Sequence, residues 1–464
     1  MTSQLTRSSG LYLVVAFFVA IAGTLFAQPA NLERLTLAAA VDLAVHNYPA
    51  LLESRARAEA ANATVAVAET AYLPRLDALL QVNRATHNNV FGLLLPQAII
   101  PSISGPVLGT RGADSVWGTA GGVLLSWDAV DFGVRKANVD VARRQTDAAR
   151  AQAALTELDV AAAAADAFLT VLAADESVRA AQANIDRLRV FTDAVTALVR
   201  AQLRPGADES RSVAELALAR TQLSLAAEQR AVAMATLAST TGSVGTELTL
   251  DASALTQLPR ATSLPSGVVD SHPAVRAEAA AVEAVRAREH AVQRAFLPRL
   301  SLQGAFSERG SAADVPGVVT ESSAFRVPNW AFGAVVSFPV FDVFSTDARK
   351  RVELQNEAAA RARHEQTRQN VATAQARAGA LVNAAAEIAQ NTPLARAAAV
   401  EAESRARARY QAGLASVTEV AEAQRLLAQA ETDDAVARLG MWRALLAAAQ
   451  ASGDLRPFLA QVTP

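Results

Sequence analysis

Between residues 134 and 203 the chain runs for 70 residues without proline, in side chains that favour helix. Leu188, Phe191, Val195 and Leu198 recur there at the three- and four-residue spacing of a packed helical seam. Such a helix is about 105 Å long. It cannot bury itself in a compact domain and needs neighbours along its whole length. Two shorter helices, 36–71 and 208–242, together match its length. The pattern then recurs: a long helix over 343–410, with Pro393 a predicted local kink, and shorter ones over 265–295 and 416–452. On 208–242, Val213, Leu216 and Leu223 form one apolar stripe, and Leu218, Leu225 and Val232 a second. Two stripes predict a neighbour on each side, as in a wall of helices.

Elsewhere the period changes to two. Strands are predicted at about 75–87, 114–127, 299–308 and 324–339. Leu300, Leu302 and Phe306 share a parity against Ser301, Gln303 and Ser307. Trp330, Phe332, Ala334, Val336 and Phe338 alternate with Asn329, Ala331, Gly333 and Ser337. Trp117, Val123, Leu125 and Trp127 oppose Gly118, Ala120, Gly122 and Ser126. Trp117, Trp127, Trp330 and Phe338 thus bound apolar stripes, as interfacial aromatics do on membrane strands. Trp117 and Trp127 are separated by roughly 33 Å of strand. At a tilt of about 40° this approaches the ~25 Å apolar band of an outer-membrane barrel. Four strands cannot close a barrel, and unpaired edges cannot face lipid. A membrane-spanning form must therefore contain several copies.

The chain is a tandem repeat. "AYLPRL" at 71–76 returns as "AFLPRL" at 295–300, and the surrounding sequence aligns at an offset of 224, pairing Pro49 with Pro273 and Pro74 with Pro298. Farther on, Asp131 matches Asp342 and Gly206 is aligned with Gly413. Pro74 and Pro298 cannot sit inside helices and bias the preceding leucines toward extended structure, so they mark helix-to-strand junctions. The repeats are assigned to 28–242 and 265–452, joined by a linker (243–264) and followed by a tail (453–464).

Residues 1–27 have the form of a secretory signal, with Arg7 before the apolar run Leu11 to Ala22 and cleavage after Ala22 or Ala27. The formal net charge of −2 gives no broad basic surface, so nucleic acid is not an expected partner. The absence of cysteine excludes disulfides and thiolate metal sites. The five histidines are scattered, and neither a phosphate-binding loop nor a nucleophile–base grouping is found. "GTAGG" (118–122) reads as close strand packing. No enzyme activity and no cofactor are expected. The apolar, Pro- and Gly-containing segment 88–112 either packs over the strand ends or restricts an opening there.

At this point the sequence resembles the TolC-like outer membrane factor family of efflux and secretion channels. The resemblance rests on "LTLAAAVDLAVHNYPALLESRARAEAA", the two LPRL junctions, the strand exits "SWDAVDFG" and "SFPVFD", and "RYQAGLASVTEVAEAQRLLAQAE". It implies a mainly helical chain with a β-barrel membrane part. As a homotrimer this would form a 12-stranded barrel in outer-membrane lipid and a 12-helix periplasmic tunnel. It also implies two partners, a periplasmic adaptor (membrane fusion) protein and an inner-membrane pump of the RND or ABC type. By this likeness Glu419 and Glu422, six and nine residues after Gly413, line a periplasmic aperture. The first-repeat counterparts are then Ser212 and Glu215, only Glu215 being acidic. Ala415 replaces the family's basic residue, which argues against a salt-bridge latch there. Gly206, Gly413, Leu414 and Ser416 fall at the tips that would meet the adaptor, the two glycines being expected to supply left-handed helix ends. Solvated helix surface is the alternative for the glutamates. A periplasmic coiled-coil scaffold or adaptor without a pore is the alternative for the whole chain.

Overall fold

The computed structural model describes residues 34–86, 92–93, 103–104, 115–246, 248–259, 267–311 and 322–462. The leader (1–27), its cleavage positions and most of 88–112 lie outside the described residues.

Helix α1 (Leu37–Asn47) is capped by Thr36, whose hydroxyl accepts the Ala39 N–H. The single helix expected over 36–71 is divided. Tyr48 is extended (φ −69°, ψ 122°), and α2 (Pro49–Glu69) starts anew at Pro49. Proline drives the residue before it out of the helical region but is well suited to a first helical position. Then come β1 (Arg75–Thr86), the short pair β2 (Gly92–Leu93) and β3 (Ile103–Ser104), and β4 (Ser115–Val130). The first repeat ends with α3 (Val134–Arg200) and α4 (Gly206–Thr240). The second repeat contains α5 (Pro273–Arg294), β5 (Arg299–Ser311), β6 (Ser322–Ser337), α6 (Val343–Gln411) and α7 (Val417–Ser452). Helix α6 continues through Pro393, which leaves the Ala389 carbonyl without its helical donor.

The strands form an antiparallel sheet in the order β1-β4-β5-β6. The helices follow the same order. Helices α2 and α4 pack along α3, α5 and α7 pack against the other side of α3, and α6 packs on α5 and α7. Length matching makes this possible: α1, α2 and α4 have 11, 21 and 35 residues against 67 in α3, while α5 and α7 have 22 and 36 against 69 in α6. Sheet and helices therefore form one continuous layer with two open flanks. One flank is α2, α4 and β1; the other is α6 and β6.

The sheet has two chemically different faces. Register places Val123 opposite Phe306, and Phe306 opposite Trp330. This row belongs to the apolar face with Leu76, Leu80, Trp127 and Phe332, all exposed in the single chain. The other face carries Ala120, Leu124, Gln303, Ala305 and Ser307, which are buried. Gly122 lies opposite Ser307, and a Cβ there would stand 2.5 Å from the Phe306 carbonyl oxygen. The glycine permits that approach.

The principal core lies where the short helices meet end to end. Phe168, Leu169, Leu37, Leu51, Leu237, Leu445 and Trp442 are buried together there. The segment assigned as linker joins this core through Leu255 and a parallel bridge from Leu250 to Leu35. The assigned tail folds as α8 (Arg456–Val462), burying Phe458 edge-on against Trp442 at 6.2 Å. Along α4 the buried stripe is Ser212, Leu216 and Ala219, with Leu223 partly covered. The placement of Val213 on this stripe is corrected, because the helix turns that side chain outward and seats Ser212 under α3. Leu218, Leu225 and Val232 form an exposed stripe on the open flank.

Candidate functional site

Two regions carry distinctive chemistry: the strand–helix junctions and the opposite, helical tip.

At the first junction α2 ends in a single 3₁₀ turn, and Leu73 becomes extended (φ −83°, ψ 146°) before Pro74. Strand β1 starts at the next residue, and β5 likewise starts directly after Pro298. The Trp127 indole N–H donates to the Tyr72 carbonyl across 3.1 Å, fixing this exposed aromatic to the turn. Trp117 and Trp330 lie farther along the same apolar face, and the Phe338 ring meets Phe296 at 5.4 Å.

The chain returns from β4 to α3 through Asp131. Its carboxylate accepts the N–H groups of Gly133 (3.0 Å) and Arg135 (2.7 Å) and the Arg135 guanidinium (2.8 Å). Arg135 also donates to the Ala71 and Ala129 carbonyls and lies over the Tyr72 ring at 5.0 Å. Burial opposes ionisation of Asp131, but the hydrogen bonds and the guanidinium charge outweigh it, holding the carboxyl below its ordinary range. In the second repeat Asp342 precedes α6 without a side-chain cap, and Thr346 occupies the place of Arg135. The first joint is held by an ion pair and hydrogen bonds, and the second by the Phe296–Phe338 ring contact.

At the helical tip, α3 and α6 turn into α4 and α7. Gly413 is left-handed (φ 78°), and the Leu414 N–H bonds back to the Arg409 carbonyl at 2.8 Å. Ser416 then caps α7. Its hydroxyl accepts the Glu419 N–H while the Glu419 carboxylate accepts the Ser416 N–H, both at 3.3 Å. The left-handed role expected of Gly206 is corrected. Gly206 is the first residue of α4 after Pro205, and the left-handed residue is Gln202 (φ 60°), with Leu203 N–H bonded to the Leu198 carbonyl at 2.9 Å. Position within the caps thus pairs Gln202 with Gly413, Pro205 with Ser416 and Asp208 with Glu419, the offset that relates Asp131 to Asp342. The counterparts read as Ser212 and Glu215 are displaced accordingly.

Glu419 and Glu422 are both exposed on the first turns of α7. Glu215 instead meets Arg425 of α7 at 3.3 Å, joining the two repeats. A second bridge, Arg187 to Glu431 at 2.7 Å, joins α3 to α7.

The residues that bind the two turns together were not singled out from sequence. Tyr410 is buried, and its hydroxyl donates to Asp208 Oδ2 at 3.3 Å. Arg204 lies over the Tyr410 ring at 4.3 Å and donates to its carbonyl at 2.5 Å, while Phe191 meets the ring edge-on at 5.4 Å. Burial, reinforced by the Asp208 charge and offset in part by Arg204, raises the Tyr410 hydroxyl above the ordinary tyrosine range. A tyrosine three residues before a glycine turn was the available signal.

No helix among the described residues is long and apolar enough to cross a membrane, and none of these residues form a cluster suited to a metal ion.

Known proteins share this architecture. CusC superposes with a TM-score of 0.74 at 17% identity, covering 92% of this chain and 95% of the other. The Neisseria gonorrhoeae MtrE outer membrane channel gives 0.72 at 20% identity, covering 90% and 89%. The Campylobacter jejuni CmeC outer membrane channel gives 0.73 at 16% identity, covering 90% and 85%. In sequence, the pyoverdine export outer membrane protein OpmQ of Pseudomonas putida is 26% identical over 326 residues. The match covers 68% of this chain and spans 63% of the length of that relative. The sequence profile described as outer membrane efflux protein matches residues 40–243 and 264–454. The chain therefore belongs to the outer membrane efflux protein family.

Proposed function

We infer that this chain is one subunit of a trimeric exit duct, passive in itself, that crosses the outer membrane and extends through the periplasm. The carrying observation is the shared order of strands and helices in a layer open at both flanks. The apolar sheet face suits lipid, but the edges of β1 and β6 do not, because unpaired backbone groups in hydrocarbon cost several kcal/mol each. Copies joined flank to flank would pair those edges and cover the Leu218, Leu225 and Val232 stripe. Proteins of this family form trimers and work in tripartite systems.

In this reading Trp117, Trp127, Trp330 and Phe338 sit at the lipid interfaces, and Pro74 and Pro298 mark entry from tunnel to barrel. Glu419 and Glu422 contribute like-charged rings near the periplasmic aperture, which favour cations. The Glu215–Arg425 pair braces that end. The tips bearing Gly206, Gly413, Leu414 and Ser416 receive the periplasmic adaptor, and an inner-membrane pump of the RND or ABC type supplies energy and cargo. The OpmQ relatives, named for pyoverdine export, make pyoverdine the first cargo to assay. Sequential extraction of outer membranes, electrophoresis before and after heating, and bilayer recording test the reading. Integral, heat-sensitive trimers that conduct ions support it; a soluble, non-conducting monomer overturns it.

A further inference from the structure

Just beyond the sheet, where α2 and α5 end and α3 begins, lies a cleft of about 720 Å³. Tyr72, Phe132, Lys136, Arg143, His290 and Arg294 line it, together with Glu69 and Asp140. Both acids are engaged: Glu69 holds Arg143 at 2.8 Å, and Asp140 faces Arg144 at 3.8 Å. Among the described residues Lys136 and Arg294 make no ion pair; the Arg294 Nε is directed to His290 Nε2 at 3.4 Å. Arg144 is shared with Asp147 at 3.6 Å, so the lining carries three cations against two carboxylates, with Lys136 and Arg294 the two outside any ion pair among the described residues.

Its position gives those cations meaning. Arg294 ends α5 five residues before β5, and Lys136 follows the last residue of β4 by six. Tyr72, on the cleft wall, accepts the indole N–H of Trp127, which belongs to the apolar sheet face. One hydrogen bond thus ties the cleft wall to the surface assigned to lipid. Exposed Phe132 adds a second aromatic at its rim. Aromatic groups at headgroup level with cations just beyond them match the profile of a phospholipid at an interface. A lysine offers a point charge to a phosphate, and an arginine offers a planar fork.

We propose that this cleft is a headgroup site for an anionic phospholipid of the periplasmic leaflet, one per subunit; the proposal rests on the outer-membrane reading above. Acyl chains would lie along the apolar sheet face while the phosphate meets Lys136 and Arg294. Each exposed cation is expected to favour an anionic over a zwitterionic headgroup by roughly fivefold.

The test uses the full-length protein in nanodiscs containing equal phosphatidylglycerol and phosphatidylethanolamine, followed by native mass spectrometry. The wild-type assembly is expected to retain phosphatidylglycerol selectively. K136Q and R294Q should each weaken the selectivity, and together abolish it without dissociating the assembly. The exchanges K136R and R294K should preserve it. Equal lipid retention by wild type and the glutamine variants would overturn the site while leaving the channel reading intact. Retention of added inorganic phosphate by the wild type without selective retention of phosphatidylglycerol would also overturn it, assigning the cleft to a free anion. Failure of the wild type to enter nanodiscs would overturn site and channel reading together.

Discussion

Tyr410 and Asp208 lie 202 residues apart in sequence and are joined by one hydrogen bond at the helical tip. The bond runs from one repeat to the other, so it resists separation of the two turns. With Arg204 over the same ring, it forms a compact clasp. Tyr410→Phe removes the hydroxyl but keeps the ring contacts, at a cost of about 1 kcal/mol. The expected outcome is a higher basal conductance in planar bilayers. Arg204→Met should act in the same direction and more strongly, since it removes a charged donor from the buried Tyr410 ring and its carbonyl.

Glu419 poses a problem of interpretation, since its carboxylate also closes the start of α7. Glutamine retains the capping geometry and removes only the charge. Glu419→Gln with Glu422→Gln is therefore expected to reduce cation preference, read as a change in reversal potential under a salt gradient, with assembly preserved. Unchanged selectivity would make both residues ordinary helix surface.

The two tip glycines should respond oppositely to alanine. At Gly413 the left-handed backbone makes Gly413→Ala costly by about 1 to 2 kcal/mol, although no side chain stands within 4 Å. Gly206 opens a helix without a left-handed angle, so Gly206→Ala should be neutral or slightly stabilising. Thermal denaturation of the assembled protein separates the two cases.

Acid should act on the first strand–helix joint. Asp131 is held below its ordinary range in the fold, so its stabilising contribution is present above roughly pH 4, the unfolded carboxyl value. That contribution is lost as pH falls through the depressed folded value. Asp131→Asn should flatten this acid-dependent loss, measured by proteolysis near the joint. Arg135→Met should destabilise the joint by roughly 3 kcal/mol at neutral pH, because it leaves a largely buried carboxylate without its cation.

Much of the layer was legible because its periods are local. The parity of Trp117 to Trp127 and of Trp330 to Val336 follows from strand geometry alone, and the strands observed there share it, whereas Phe338 lies one residue past the end of β6. The Pro74 and Pro298 junctions follow from a backbone constraint. Gln202 was not legible, since glutamine rarely takes a left-handed angle and a nearby glycine suggested a simpler turn. Tyr410 was hidden for another reason: Arg204 and Asp208 reach it only after two long helices bring the tips together. Phe458 likewise acquires its role only against Trp442 in the assembled core.

The central claim is that this layer closes with other copies into a conducting barrel. Single-channel recording of the purified wild-type assembly, alongside a variant with Gly122→Val, tests it most directly. A valine side chain would invade the approach to Phe306 and disturb the sheet. The account predicts stable ion-conducting pores from heat-sensitive wild-type trimers and a marked loss of pores from the variant. A well-folded wild-type protein that extracts with the soluble fraction and leaves bilayers silent would contradict it.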